Sequence, residues 1–292
     1  MNCGVCGQAV PECDALVIEE TTVCPACKPI FLQRLKEGCG LPLPRIELPD
    51  TLLGFGTLLS IAWKIFREKW LPICALTIVV SIPVNVILQR IGGAADDSLH
   101  ETVRAFRFAS MLDTFIAVLG TLGVIFVVSE RIEGRAVSFG PAFRHAFSRW
   151  LSGIGTTFLG NLIIGFMTLL LIVPGVIWSG YYAFATCVVS LRHRGGSSAL
   201  AYSKGMVEGR WWPVALRLAG CYGLALGTLM SFHFLVGAIM ELAPESTWLS
   251  ISADCIGDLM LSFATVCTTV LFLNLEKVDA TDPLLAASRR IR

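Results

Sequence analysis

The chain has 292 residues, of which 54% are hydrophobic and 15% charged, and its mean hydropathy is +0.70. Soluble domains carry about 25% charged residues, so this composition excludes an ordinary water-soluble globule and points to a bilayer. The net charge of +1 gives no electrostatic reason to bind nucleic acid.

The first forty residues depart from this pattern. They are polar and hold six of the eleven cysteines: Cys3, Cys6, Cys13, Cys24, Cys27 and Cys39. Cys3-x2-Cys6 and Cys24-x2-Cys27, seventeen residues apart, are two knuckles at zinc-ribbon spacing. Each bends the backbone so that two thiolates reach one ion, and four thiolates close a tetrahedral Zn2+ site with no open position. The expected role is therefore structural. Ala15–Glu19 and Thr21–Val23 read as a strand pair, and Ile30–Lys36 as a short helix. Such a module, residues 1–39, is too small to fold on its core alone, so metal would supply the missing stability. A pair of disulfides is the rival reading, and Cys13 could replace a knuckle ligand. The remaining cysteines (Cys74, Cys187, Cys221, Cys255, Cys267) are scattered singly through apolar segments, as small buried hydrophobes.

Residues 40–50, GLPLPRIELPD, hold three prolines and read as an extended linker. The membrane domain is expected over 51–275. Leu52, Phe55, Leu59, Ala62, Ile65 and Phe66 form a helical stripe, with Lys64, Arg67 and Lys69 near its end. That predicts an amphipathic helix on the membrane surface. A first span follows over about 71–89, with Pro72 in its first turn and a kink expected at Pro83. Ser98-Leu-His-Glu101 has the form of a capping box and starts a helix leading to a second span, about 108–128. No basic region followed by an apolar run stands at the amino terminus, so the first span is expected to direct insertion.

Residues 150–191 run for 42 positions without a charged side chain. One helix of that length would reach roughly 60 Å, twice the ~30 Å hydrocarbon thickness. Pro174-Gly175 is the expected turn, giving a third span over about 151–172 and a short fourth over about 176–191. A fifth is expected over 213–240 and a sixth over 249–273. The fold class is thus an all-α polytopic membrane protein of about six spans with interfacial helices, plus the small ribbon.

Basic residues set the orientation. Lys64, Arg67 and Lys69 precede span one; Arg131, Arg135, Arg144 and Arg149 lie between two and three. Arg192, Arg194, Lys204 and Arg210 lie between four and five, and Lys277, Arg289, Arg290 and Arg292 near the end, where 276–292 forms a basic tail. The opposite connections at 173–175 and 241–248 have none, and in the 90–107 loop Arg90, Arg104 and Arg107 are accompanied by Asp96, Asp97 and Glu101. Both termini are expected in the cytoplasm, with the spans in an inner (plasma) membrane.

Three segments share one plan: an amphipathic helix, a basic residue, tryptophan, then a span. They are 53–73, 138–154 and 197–215, with Trp70, Trp150 and Trp211 at the aromatic belt. One reading is that any cytoplasmic approach to a bilayer looks like this. The other is three repeats, around 50–128, 136–191 and 197–273, each a lead-in helix plus a hairpin.

Pro174-Gly175, Tyr181-Tyr182-Ala-Phe184, Ala199-Leu-Ala-Tyr-Ser203 and Val207-Glu-Gly209-Arg-Trp211-Trp212 resemble the glycerophosphoryl diester phosphodiesterase membrane-domain family, in its bacterial integral-membrane members. The resemblance is best over 170–215, extends over 50–273 and leaves out the ribbon. It implies a helical membrane fold and no phosphodiesterase activity, which in that family belongs to a separate barrel of roughly 250 residues. The family's acidic residue after the Tyr-Ala-Phe span is absent here, where Leu191-Arg-His-Arg194 stands.

Ionisable residues inside a bilayer are candidate functional groups. Here they are Asp113, His233, Asp254 and Asp258, all expected in the outer half. Asp254 and Asp258 share a helical face, and Asp258 would lie about 13 Å deep by helical rise. Together they could line an outward cavity that carries protons or holds a cation. Shifting the span ends by two to four residues would instead put Asp113 and Asp254 at headgroups, but not Asp258. Asn85 and Asn161 read as interhelical hydrogen-bond partners, and Arg217 as a snorkelling cation. No nucleophile-base pair, phosphate-cradling loop or H-E-x-x-H helix is present, so no enzyme is expected. The sequence therefore supports a non-enzymatic membrane scaffold or envelope-maintenance factor, whose partners are the lipid bilayer and a protein docked on the ribbon. The alternative is a proton- or cation-coupled transporter or channel using Asp258 with Asp113 and His233.

Overall fold

The computed structural model describes residues 16–18, 21–29, 45–93, 99–240 and 247–281, with positions 11 and 32. At the start, β1 (Leu16–Ile18) and β2 (Thr21–Val23) pair antiparallel, Leu16 opposite Val23. The chain bends directly after β2, where the Cys27 N–H donates to the Cys24 carbonyl at 3.0 Å. Cys3, Cys6, Cys13 and Cys39 lie outside the described residues, as does most of the 30–36 segment.

The rest is helical. The helices are α1 (Phe55–Glu68), α2 (Trp70–Gly93), α3 (Leu99–Ile132), α4 (Phe139–Leu170), α5 (Ile172–Tyr182) and α6 (Ala185–Arg192). They continue with α7 (Ser197–Val207), α8 (Trp211–Met240) and α9 (Thr247–Thr281). Among the described residues, six segments are long and apolar enough to cross a membrane: α2, α3, α4, the α5–α6 pair, α8 and α9. This is an all-α polytopic membrane fold. Hairpin neighbours α2/α3, α4/α5 and α8/α9 pack together, and α9 also packs on α1, α2 and α3. Ile73 and Leu76 of α2, Leu122 and Ile125 of α3, and Val266, Val270 and Leu271 of α9 form the fully buried centre. The least enclosed spans are α4 and α8, with 17% and 11% of their apolar windows buried, so their outer faces are left for lipid.

α1 takes a different surface from the expected one. Leu58, Ala62 and Ile65 are its buried residues, whereas Phe55 stays 41% exposed. The helix packs on α9, where Trp63 and Phe66 meet the Phe263 ring edge-on, with centroids 6.0 and 5.7 Å away. Its apolar line therefore packs on the bundle.

The turn in the long apolar run also falls elsewhere. The break is at Leu171, whose extended backbone (φ −160°, ψ 138°) separates α4 from α5. Pro174 sits in the first turn of α5, where its missing N–H costs nothing. Gly175 instead permits close packing, because a Cβ there would lie 2.1 Å from Thr168 Oγ1 and 2.9 Å from Thr168 Cα. Only glycine lets α5 lie this close to α4.

The fourth span is interrupted again at Ala183-Phe184, between α5 and α6. Ser203 of α7 bridges the gap, donating to the Tyr181 carbonyl at 2.7 Å and accepting from the Phe184 N–H at 3.2 Å. Two of the segments quoted for the family resemblance meet at this contact. The three echoed segments share their order but not their breaks. α1 and α2 part at Lys69, and α7 and α8 part at 208–210, where Gly209 has φ +85°. In the middle segment the lead-in helix runs straight into α4.

Candidate intramembrane polar site

α9 carries a polar stripe through an apolar span. Asp258, Ser262 and Thr265 stand at i, i+4 and i+7, hence on one helical face. α2 answers with Thr77 and Ser81, again four apart, and α3 with Thr121. These six side chains line one cavity of about 260 Å³ between α2, α3 and α9, together with Val80, Val84, Ala117, Gly120, Val124 and Leu261. Thr77, Ser81 and Ser262 are among the buried polar residues.

The hydroxyl hydrogens are largely committed to the helices. Thr77 Oγ1 donates to the Ile73 carbonyl at 3.0 Å, Thr121 Oγ1 to Ala117 at 3.0 Å and Ser262 Oγ to Leu259 at 2.7 Å. A hydroxyl that donates within its own helix keeps its lone pairs for another partner. Three of the hydroxyls on its wall therefore keep lone pairs for the cavity. On α2, Asn85 Nδ2 donates to Asp258 Oδ2 at 3.4 Å and lies 3.8 Å from Cys255 Sγ.

Asp258 faces this cavity, whereas His233 and Asp254 do not line it. His233 of α8 points at α9, where its Nε2 would be 3.2 Å from a Cβ on Gly257. Asp254 lies one turn before Asp258 and interacts electrostatically with both His233 and Asp258. The structure thus brings His233 near Asp254 on α9, while Asp258, one turn further on, faces α2 and α3. Asp113 lies on α3, and its side chain is outside the described atoms. Asn161 is exposed on α4, whereas Asn85 joins two helices. Arg217 does not simply reach for headgroups: it donates to the Leu53 and Pro213 carbonyls at 2.6 and 2.5 Å.

A second polar assembly closes the basic end of the bundle. Asn274 of α9, fully buried, accepts from the Leu53 N–H at 3.0 Å and donates to the Pro49 and Thr51 carbonyls at 2.9 and 3.1 Å. Lys277 adds a bond to the Leu48 carbonyl and an ion pair with Asp50 at 3.0 Å. The end of the proline-rich linker is strapped to α9 by these contacts. Nearby, Arg192 makes a two-pronged pair with Glu276 at 2.7 and 2.6 Å, and Tyr202 donates to the same carboxylate at 2.9 Å. Arg131 pairs with Glu68 at 2.6 Å and Arg210 with Asp279. Arg135 pairs with Glu130 and Glu133, and its hydrogen bonding to Glu130 holds the guanidinium above its ordinary range. These charges are satisfied mainly by one another.

Sequence reasoning misses the hydroxyl stripe and Asn274. Both are signalled by helical position: 258, 262 and 265 form one line, and 274 is the only amide side chain on α9. Among the described residues no group of three or more His, Cys, Asp or Glu side chains could hold a metal ion. Compared with protein-family models, curated proteins and solved structures, the chain matches none of them.

Proposed function

We propose that the chain is a multi-pass inner-membrane protein, both termini cytoplasmic, that moves a proton or small cation through Asp258. One observation carries this reading: a carboxylate within a membrane-spanning helix opens on a cavity lined by hydroxyls from three helices. An intramembrane acid is costly to insert, so one that faces a hydroxyl-bearing cavity between helices is a functional group by default. The test is ion flux into liposomes containing the full chain. Asp258→Asn should abolish flux while leaving insertion unchanged. Equal flux in the two proteins would end the reading.

The strapped linker favours a second role. Its anchorage to Asn274 and Lys277 would hold the amino-terminal module beside the basic end. In this reading the protein is a non-enzymatic scaffold or envelope-maintenance factor. Zn2+ on Cys3, Cys6, Cys24 and Cys27 stabilises a docking module, and a partner protein binds there. Co-purification with intact protein and with Cys24→Ser tests it: a partner retained equally by both would exclude docking through the ribbon. The Ser203 contact with Tyr181 and Phe184 supports treating the segments of the family resemblance as one structural unit.

A further inference from the structure

We infer that the cavity at Asp258 is a binding site for one partly hydrated monovalent alkali cation, held by the Asp258 carboxylate and the Ser262 hydroxyl one helical turn away, with Thr77, Ser81, Thr121 and Thr265 lining the rest of the cavity. This inference rests on the proposed handling of a proton or small cation and names its class. The site combines two separate features. The first is the cavity itself, about 260 Å³ and reached by all six side chains, which is ample for one ion and accompanying water. The second is the chemistry of its wall. Thr77, Thr121 and Ser262 give their hydrogens to the Ile73, Ala117 and Leu259 carbonyls, so oxygen lone pairs remain for the cavity. Asn85 fixes one carboxylate oxygen at 3.4 Å and leaves the other for the site.

The polar side chains on the wall all end in oxygen, which suits hard cations and disfavours zinc or copper, which take nitrogen and sulfur. Charge then decides the valence. One carboxylate neutralises one positive charge, so a monovalent ion leaves the site neutral in a medium where net charge is expensive. A divalent ion would leave one charge uncompensated. A bare proton would need the carboxylate alone and would make no use of the neighbouring hydroxyl.

The experiment follows thermal unfolding of the full chain in lipid nanodiscs, in sodium, potassium, magnesium or choline chloride at one ionic strength. Sodium or potassium should raise the midpoint above the choline value by about 3 °C when the ion is at roughly ten times its Kd. Asp258→Asn should remove that rise. Ser262→Ala, which removes the hydroxyl one turn from Asp258, should weaken binding at least tenfold and serves should the first variant fail to fold. A wild-type midpoint no higher in either alkali salt than in choline, or a larger rise in magnesium, would overturn the inference. So would an undiminished rise in both variants. Flux provides the separation from the parent reading. Asp258-dependent flux that persists when choline replaces every alkali cation keeps proton transport and sinks the alkali site. Flux indifferent to Asp258 beside an Asp258-dependent thermal rise sinks transport and keeps the site.

Discussion

Asn85 Nδ2 on α2 donates to Asp258 Oδ2 on α9 at 3.4 Å, joining positions 173 residues apart. The bond is long, so its strength alone is modest; its value lies in orienting a carboxylate at the edge of a cavity. Interhelical hydrogen bonds inside membranes average about 0.6 kcal/mol and reach about 1.7. A double-mutant cycle of Asn85→Leu and Asp258→Leu is expected to give a coupling of about 0.5–1.5 kcal/mol in reversible unfolding. A coupling indistinguishable from zero would mean that the pair does not interact in the membrane.

Span number and hairpin order are legible in the sequence because they depend on bulk physics. A 42-residue run without charge cannot stay in water, and the basic clusters recur at alternate ends. What is not legible depends on a third partner. The stripe on α1 suits a lipid surface when read alone, but α9 lies beside it and Leu58 is buried in protein instead. Pro174 suggests a turn because proline breaks helices, yet in the first turn of a new helix it breaks nothing. Asp258 stands out by its depth. The hydroxyls around it do not, because serine and threonine in a span usually bond their own helix, as Thr77 and Ser262 also do. Only the packing of α2, α3 and α9 shows that several of them line the same cavity.

Asn274 tests whether the strap matters to the fold. Its side chain is fully buried and makes three bonds to backbone groups at 49, 51 and 53. Asn274→Leu removes all three and leaves those groups seeking partners. At roughly 0.5–1.5 kcal/mol per bond, destabilisation of about 2–4 kcal/mol is expected. Limited proteolysis should also cut near Arg45 sooner than in the parent protein. An unchanged midpoint and cleavage rate would show that the linker is held by other contacts.

Two glycines on the same hairpin should respond with opposite sign. At Gly175 an added methyl collides with Thr168, including its backbone, whereas at Gly165 nothing lies within 4 Å. Gly175→Ala must push α5 off α4 and should cost about 1–3 kcal/mol, as overpacking does. Gly165→Ala adds helix propensity with no clash and should be neutral or stabilising by up to about 1 kcal/mol. Thermal unfolding of the two variants side by side is the measurement. Equal effects would mean that the hairpin is not packed this tightly.

The last prediction concerns the amino-terminal module. The described part has a short antiparallel pair leading directly into a tight turn at Cys24 and Cys27. In the proposed ribbon these two thiols would be half of a four-thiolate site, with Cys3 and Cys6 as the other half. A module of about forty residues buries too little apolar surface to fold unaided, so metal binding and folding should be one event. Purified full-length protein should therefore carry close to one zinc per chain by elemental analysis, falling below about half in Cys24→Ser, since loss of one of four ligands opens the closed site. A strong chelator should release the metal and expose 1–39 to protease while the membrane helices stay intact. Less than about half a zinc in the parent protein, with its knuckle cysteines found oxidised, would replace the ribbon with a disulfide-bonded module and move this end of the chain to an oxidising compartment.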